Sequence, residues 1–202
     1  QALIDAQNAG IIANGNIELV VSNKETAYAL TRAKDNGIKG VYIKKDSDFE
    51  KNLIAVLEEN KIDLIVLAGF LVILSEDFVK HFDRKIINIH PSLIPLFCGD
   101  GFYGKKVHTA VLESGVKVTG ATIHYVDEGT DTGPIILQKA VEVLDGDTPQ
   151  LLQKRIMERA EWVILPMAID LIANGFRNIH VYTMNRPEII GGIMRNLSEI
   201  VK

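Results

Sequence analysis

Apolar residues along the first half of the chain arrive in two alternating forms. Short continuous runs suit buried strands, and longer stretches with apolar positions every three or four residues suit helices. Residues 1–10 read as a helix, and 17–22 (IELVVS) as a short buried strand. Residues 25–36 form a helical pattern that Gly37 ends, and 40–43 give another strand. From 49 to 60, Phe49, Leu53, Val56 and Leu57 recur at helical spacing, and the run 62–68 (IDLIVLA) is a continuous apolar strand leading into Gly69. Strands separated by helices predict a parallel sheet covered on both faces.

The second half changes character. Residues 85–90 read as a strand, 91–104 as a loop rich in Pro and Gly, and 105–114 as a short helix. Two β-rich runs follow, 118–126 and 134–143, separated by the turn-like DEGTDTG of 127–133. Residues 149–174 are helical, with Pro166 inside, so a kink is expected there. Beyond Arg186 the apolar pattern weakens towards a loosely packed terminal helix. The expected fold is three-layer α/β/α with a mainly parallel twisted sheet and some antiparallel pairing in the second half. It forms one domain over 1–180, with 181–202 as a tail. Parallel α/β folds normally begin on a strand, whereas this chain opens on a helix. The expectation is that an opening strand and a Gly-rich turn, a natural phosphate cradle at a helix start, belong before Gln1.

Composition narrows the class without changing this picture. The 202 residues are 47% apolar and 24% charged, the profile of a globular domain able to bury a core. A formal charge of −4 gives no general attraction to nucleic acid. One cysteine, Cys98, excludes an intramolecular disulfide and fits a reducing compartment. It reads as an incidental loop thiol, with no base tied to it. No apolar run approaches membrane-spanning length and nothing at the start resembles a signal peptide, so a cytoplasmic protein that meets no membrane is expected.

The chemistry concentrates in two segments. In INIHPSL (87–93), Asn88 and His90 stand two apart on a strand, so their side chains leave the same face. Pro91 follows at once, placing them at a strand end where open α/β sheets hold ligands. A carboxamide beside an imidazole suits acyl transfer, since Asn can donate to an oxygen gaining charge and His can move protons near neutral pH. In DEGTDTGPIILQ (127–138), an acidic Gly-containing loop precedes a strand. A carboxylate set against an imidazole orients it and favours its charged form. Spacing does not choose among Asp127, Glu128 and Asp131.

Taken in order, LAGFLVILS (67–75), NIHPSL (88–93), GATIHYVDEGTDTGPIILQ (120–138) and EWVILP (161–166) resemble the phosphoribosylglycinamide formyltransferase family, from Gln1 to about Ile172. The resemblance implies a Rossmann-like fold that passes a formyl group from 10-formyltetrahydrofolate to the amine of glycinamide ribonucleotide, in purine biosynthesis and without a metal. It assigns Asn88, His90 and Asp131 as the catalytic set. The folate would meet Leu71, Val72, Ile73 and Leu74, Asn88, and the loop Val126, Asp127, Glu128, Gly129, Thr130 and Asp131. The ribonucleotide would meet Ala68, Gly69, Phe70 and Glu161, and His124 would support His90. Residues 1–84 would be the ribonucleotide half and 85–180 the folate half of a monomer or homodimer. Val72 stands where many relatives carry Arg, and Trp162 where His is common. His81, His108 and His180 carry no motif and are expected at surface or loop positions.

Two rival readings accompany this one. Formyltetrahydrofolate deformylase shares the Asn-His-Asp logic, hands the formyl group to water and carries a further regulatory domain, so the rival is a deformylase lacking that domain. Methionyl-tRNA formyltransferase adds an RNA-binding domain, which is not expected here, and the acidic charge speaks against tRNA. A catalytically inactive folate or nucleotide sensor is the non-enzymatic alternative.

Overall fold

The structure is a computed structural model, and it describes residues 1–175. His180, the terminal helix after Arg186 and the tail over 181–202 lie outside the described residues. In chain order the elements are α1 (Ala2–Asn8), β1 (Leu19–Ser22), α2 (Tyr28–Asp35), β2 (Lys39–Tyr42), α3 (Phe49–Glu59), β3 (Ile65–Leu67) and α4 (Glu76–His81). Then come β4 (Ile86–His90), α5 (Lys105–Ser114), β5 (Val118–Tyr125), β6 (Ile135–Glu142), α6 (Pro149–Ile156) and α7 (Trp162–Ala173), with a π-helical turn over Met157–Glu161.

The α/β alternation follows the sequence pattern. β1 pairs with β2 in parallel as a two-stranded sheet, and a second sheet runs β3-β4-β5-β6. In the second sheet β3 and β4 are parallel, while β4–β5 and β5–β6 are antiparallel. Antiparallel pairing in the later strands was expected, and its reason is connectivity. Only the short loop 126–134 links β5 to β6, and a parallel return needs a crossover of a dozen residues or more. The apolar run 62–68 yields only a three-residue strand, because its pairing with β4 spans Ile65↔Ile86 to Leu67↔Asn88.

Packing on both faces of the second sheet is visible in two neighbouring residues. Ile86 belongs to a cluster with Phe49, Leu53, Leu57, Phe78 and Val79, from α3 and α4. Ile87 belongs to a different cluster, with Val111, Ile123, Leu152, Ile156 and Ile164, from α5, β5, α6 and α7. Successive strand residues face opposite ways, so β4 has a helical layer on each side. By the same alternation Asn88 and His90 share the face of Ile86.

Two local features depart from the sequence pattern. α4 is an additional helix within 69–84; the side chain of Ser75 caps it by accepting from the Phe78 N–H, with Glu76 and Asp77 in its first turn and Lys80 and His81 in its last. This is the charge order that a helix dipole favours. The irregularity expected at Pro166 lies upstream, where residues 157–161 widen into a π turn before α7 begins. Proline lacks the N–H that would bond to the carbonyl four residues back and crowds that carbonyl, so the turn before it is where the helix adjusts.

Candidate active site

β4 and β5 lie antiparallel with Asn88 opposite His124 and His90 opposite Thr122. Directly opposed residues point to the same face, so four polar side chains gather at one place on the sheet. Thr122 is a scaffold: its hydroxyl donates to the Ser92 carbonyl at 2.7 Å and accepts from the Ile94 N–H and the Gln138 amide. These bonds fix the chain where it leaves β4 and turns into the loop 91–104.

Asp131 reaches this face from the loop between β5 and β6. Its Oδ2 stands 3.3 Å from His90 Nδ1, and its Oδ1 stands 3.5 Å from His124 Nε2. The Gly99 N–H donates to Oδ2 at 3.0 Å. Burial works to raise the pKa of Asp131, but the His124 contact, the Gly99 N–H and the charges of both imidazoles outweigh it and hold the carboxyl below its usual value. Asp131 is therefore an anion set between two histidines. It also adopts φ 60°, a left-handed backbone that few residues other than Gly accept and that Asp tolerates better than most.

The loop is built to hold that conformation. Asp127 turns inward, accepting from the Gly129 N–H at 3.1 Å and the Thr132 hydroxyl at 2.6 Å. A Cβ on Gly133 would stand 1.8 Å from the Tyr125 carbonyl oxygen, so only Gly fits there. Glu128 instead faces outward, 3.4 Å from Lys80 of α4. Of the three acids that spacing left open, one braces the loop, one pairs at the surface, and Asp131 alone meets His90.

His90 is buried, and both its ring nitrogens face acceptors. Nδ1 meets Asp131, and Nε2 donates to the Phe97 carbonyl at 2.9 Å. The turn that carries Phe97 and Gly99 thus touches both the imidazole and its carboxylate, a contact that no motif announced. Asn88 Nδ2 lies 3.1 Å from His124 Nε2.

Beside this group lies a cleft of about 630 Å³, lined by Tyr125 to Gly129 and Pro134 on one side and by Val79, Lys80, Asp83 and Arg84 on the other. It shares the acidic loop with the trio, although Asn88, His90 and Asp131 do not line it. Its wall from α4 and the turn after it was not read from sequence. The capping Ser75 and the acid-first, base-last order of 76–81 were the signal available. Its lining mixes Val79, Tyr125, Val126 and Pro134 with the charged Lys80, Asp83, Arg84, Asp127 and Glu128.

A scan of known families matches residues 1–169 to the family described as formyl transferase. The chain belongs to the formyl transferase family. Among formyl transferases it is 42% identical over 150 residues to the chloroplastic phosphoribosylglycinamide formyltransferase of Arabidopsis thaliana, covering 71% of this chain and 51% of that protein. It is 42% identical over 180 residues to the human trifunctional purine biosynthetic protein adenosine-3, covering 87% of this chain and 17% of that protein. The chain thus spans about half of the plant relative and a smaller part of the human one. The solved phosphoribosylglycinamide formyltransferase of Anaplasma phagocytophilum superposes with a TM-score of 0.80 at 36% identity, covering 92% of this chain and 89% of that one. The family resemblance read from the four motifs is borne out.

The other residues singled out in the formyl transferase sequence fall into several places. Ala68 and Gly69 are exposed just beyond β3, with Gly69 at φ 66°, and Phe70 packs partly into the α3–α4 cluster, stacking on Phe49. Leu71 and Ile73 project outward at 69% and 81% exposure, while Val72 and Leu74 pack into the α3–α4 cluster. None of the four lines the cleft. Thr130 sits at the exposed tip, donating to Asp100 at 3.1 Å. Glu161 ends the π turn and is pushed up to about 7 by burial.

One expectation is corrected. His108 is fully buried on α5 rather than at the surface, beside Val107 and Val111. Burial, with the charge of His90 as a smaller cause, lowers its pKa to about 4. His81 is exposed as expected, against Glu58. The Cys98 thiol donates weakly to the Pro95 carbonyl, and burial and then Asp131 raise its pKa, the opposite of an activated nucleophile. Among the described residues, no group of three or more His, Cys, Asp or Glu is placed to hold a metal, and no helix is long and apolar enough to cross a membrane.

Proposed function

We propose that this chain transfers the formyl group of 10-formyltetrahydrofolate to the amine of glycinamide ribonucleotide. The observation that carries the reading is the buried His90–Asp131 pair at 3.3 Å with the Asn88 carboxamide on the same strand face. The amine attacks the formyl carbon, and the electron pair of the carbonyl moves to its oxygen. Asn88 donates a hydrogen bond to that oxygen as charge develops. His90, oriented by Asp131, takes up the proton from the attacking nitrogen and delivers it to the departing folate nitrogen, after which the carbonyl re-forms. For this, His90 Nε2 must leave the Phe97 carbonyl and give up the hydrogen it donates there, so that it meets the substrate as an acceptor.

The loop 126–131 and the adjoining cleft are assigned to the folate, with Leu71 to Leu74 at its approach. Ala68, Gly69, Phe70 and Glu161 are assigned to the ribonucleotide, with 1–84 as the ribonucleotide half and 85–180 as the folate half from which Glu161 alone serves the ribonucleotide. The reaction needs no metal, the protein acts as a monomer or homodimer, and it is cytoplasmic; the plant relative carries chloroplastic in its name.

Cofactor turnover with and without the ribonucleotide tests the reading. Formyl folate consumption should depend on glycinamide ribonucleotide. Consumption that ignores the nucleotide would mean hydrolysis, and none under any condition would mean a sensor.

A further inference from the structure

The cleft beside the trio is lined by five charged residues, and three of them are already engaged. Lys80 lies between Glu76 of its own helix and Glu128 of the acidic loop. Asp127 accepts from the Gly129 N–H and the Thr132 hydroxyl. That leaves Asp83 and Arg84, consecutive in the turn after α4. Both are exposed, and among the described residues neither side chain has a hydrogen-bond or ion-pair partner. Arg84 also adopts φ 54°, a left-handed backbone that Gly takes freely and that costs Arg free energy. Backbone strain of this kind gathers at ligand sites.

Asn88, His90 and Asp131 do not line the cleft, so with the formyl carbon at His90 only one end of the folate enters it. The glutamate end is a dianion, and the lining carries three acids against two bases, which repels it. The pterin end is neutral and flat, with a 4-oxo acceptor beside two donors, N3–H and the 2-amino group. A guanidinium only donates and a carboxylate only accepts, so Arg84 and Asp83 together match that edge. We propose that these two residues set the specificity for the pterin ring, Arg84 donating to the 4-oxo group and Asp83 accepting from N3–H and the 2-amino group. The proposal rests on the assignment of the cleft to folate made above. Val79, Val126 and Pro134 supply apolar contact for the ring, and the two charges fix its edge. Bonds to ionised groups are stronger than neutral ones, and the planar guanidinium and carboxylate suit a planar heterocycle.

Calorimetric titration of the full chain tests this with three ligands: 10-formylfolate, its 4-amino counterpart and its 2-desamino counterpart. A 4-amino group is a donor where the guanidinium also donates, and the 2-desamino ring lacks one hydrogen bond to the carboxylate. The unmodified protein should therefore prefer 10-formylfolate over each counterpart by roughly 10-fold or more. Arg84→Gly should erase most of the 4-oxo preference, and Asp83→Ala most of the 2-amino preference. Arg84→Asn also accepts the left-handed backbone, without the added freedom of Gly, and should behave as Arg84→Gly does. Preferences missing from the unmodified protein, or unchanged by these substitutions, would overturn the proposal while folate binding itself stood. No binding of any of the three ligands would sink both the proposal and the assignment of the cleft. Binding with the expected preferences but no formyl transfer would uphold the proposal and count against the reaction alone.

Discussion

Glu161→Gln should raise stability at alkaline pH and change it little in acid. Burial pushes the Glu161 carboxyl from 4.5 up to about 7, with no basic partner offsetting it. The folded chain therefore binds a proton more tightly than the unfolded chain between these values. The sign follows: the contribution is fully present below pH 4.5 and is lost as pH rises through about 7. At 1.36 kcal/mol per pH unit, and with the partial exposure of the side chain reducing it, the loss above neutrality is about 2–3 kcal/mol. Gln has the same shape and no charge, so it escapes this loss. For a domain of this size the gap corresponds to a Tm difference of roughly 5–10 °C. Thermal melts of both proteins at about pH 5 and about pH 8.5 measure it. The curves should nearly coincide in acid and separate in base, with Gln the higher. Parallel curves, or an unmodified protein that gains stability with rising pH relative to the variant, would mean that Glu161 is not desolvated as described.

Asp131→Asn keeps a side chain that accepts the left-handed backbone of that position and removes only the charge beside His90; kcat should fall roughly 100-fold or more while the melting curve stays close to that of the unmodified protein. Gly133→Ala places a Cβ against the Tyr125 carbonyl, which should cost about 2–4 kcal/mol in urea unfolding and displace Asp131, whereas Gly15→Ala, which meets only ordinary contacts, should change stability by under about 1 kcal/mol. His108→Leu removes a buried imidazole whose pKa is lowered from 6.5 to about 4 and whose Nδ1 has no partner. That group's stability contribution is present above pH 6.5 and lost as pH falls through about 4, so the Leu variant should resist acid better by up to about 3 kcal/mol in denaturant midpoints; equal acid sensitivity would contradict the burial assigned to His108.

What was legible in the sequence was what depends on local pattern. The alternation over 1–68 reported strands and helices because short apolar runs differ from three-to-four-residue periods, although β1 and β3 are only half-buried and β2 is largely exposed. Asn88 and His90 were placeable together because strand geometry fixes residues two apart on one face. Choosing Asp131 among three acids was not possible from spacing, because it depends on the loop closing through Asp127, Gly129 and Gly133. The Phe97 and Gly99 contacts were invisible for a related reason: a carbonyl and an N–H of the main chain carry no residue signature. His108 was misplaced although its signal existed, since Val107 and Val111 flank it on α5 at helical spacing and mark that stripe as buried. α4 was overlooked between two loops because its six residues are too few to establish a period.

The alternation along β4 ties assembly to chemistry in one short segment. Ile87 and Ile89 look one way and Asn88 and His90 the other, so a slip of a single position would put imidazole in the oil and isoleucine in the reaction. A lineage can exchange residues around this strand, but it cannot lengthen or shorten it by one residue between Ile86 and Pro91.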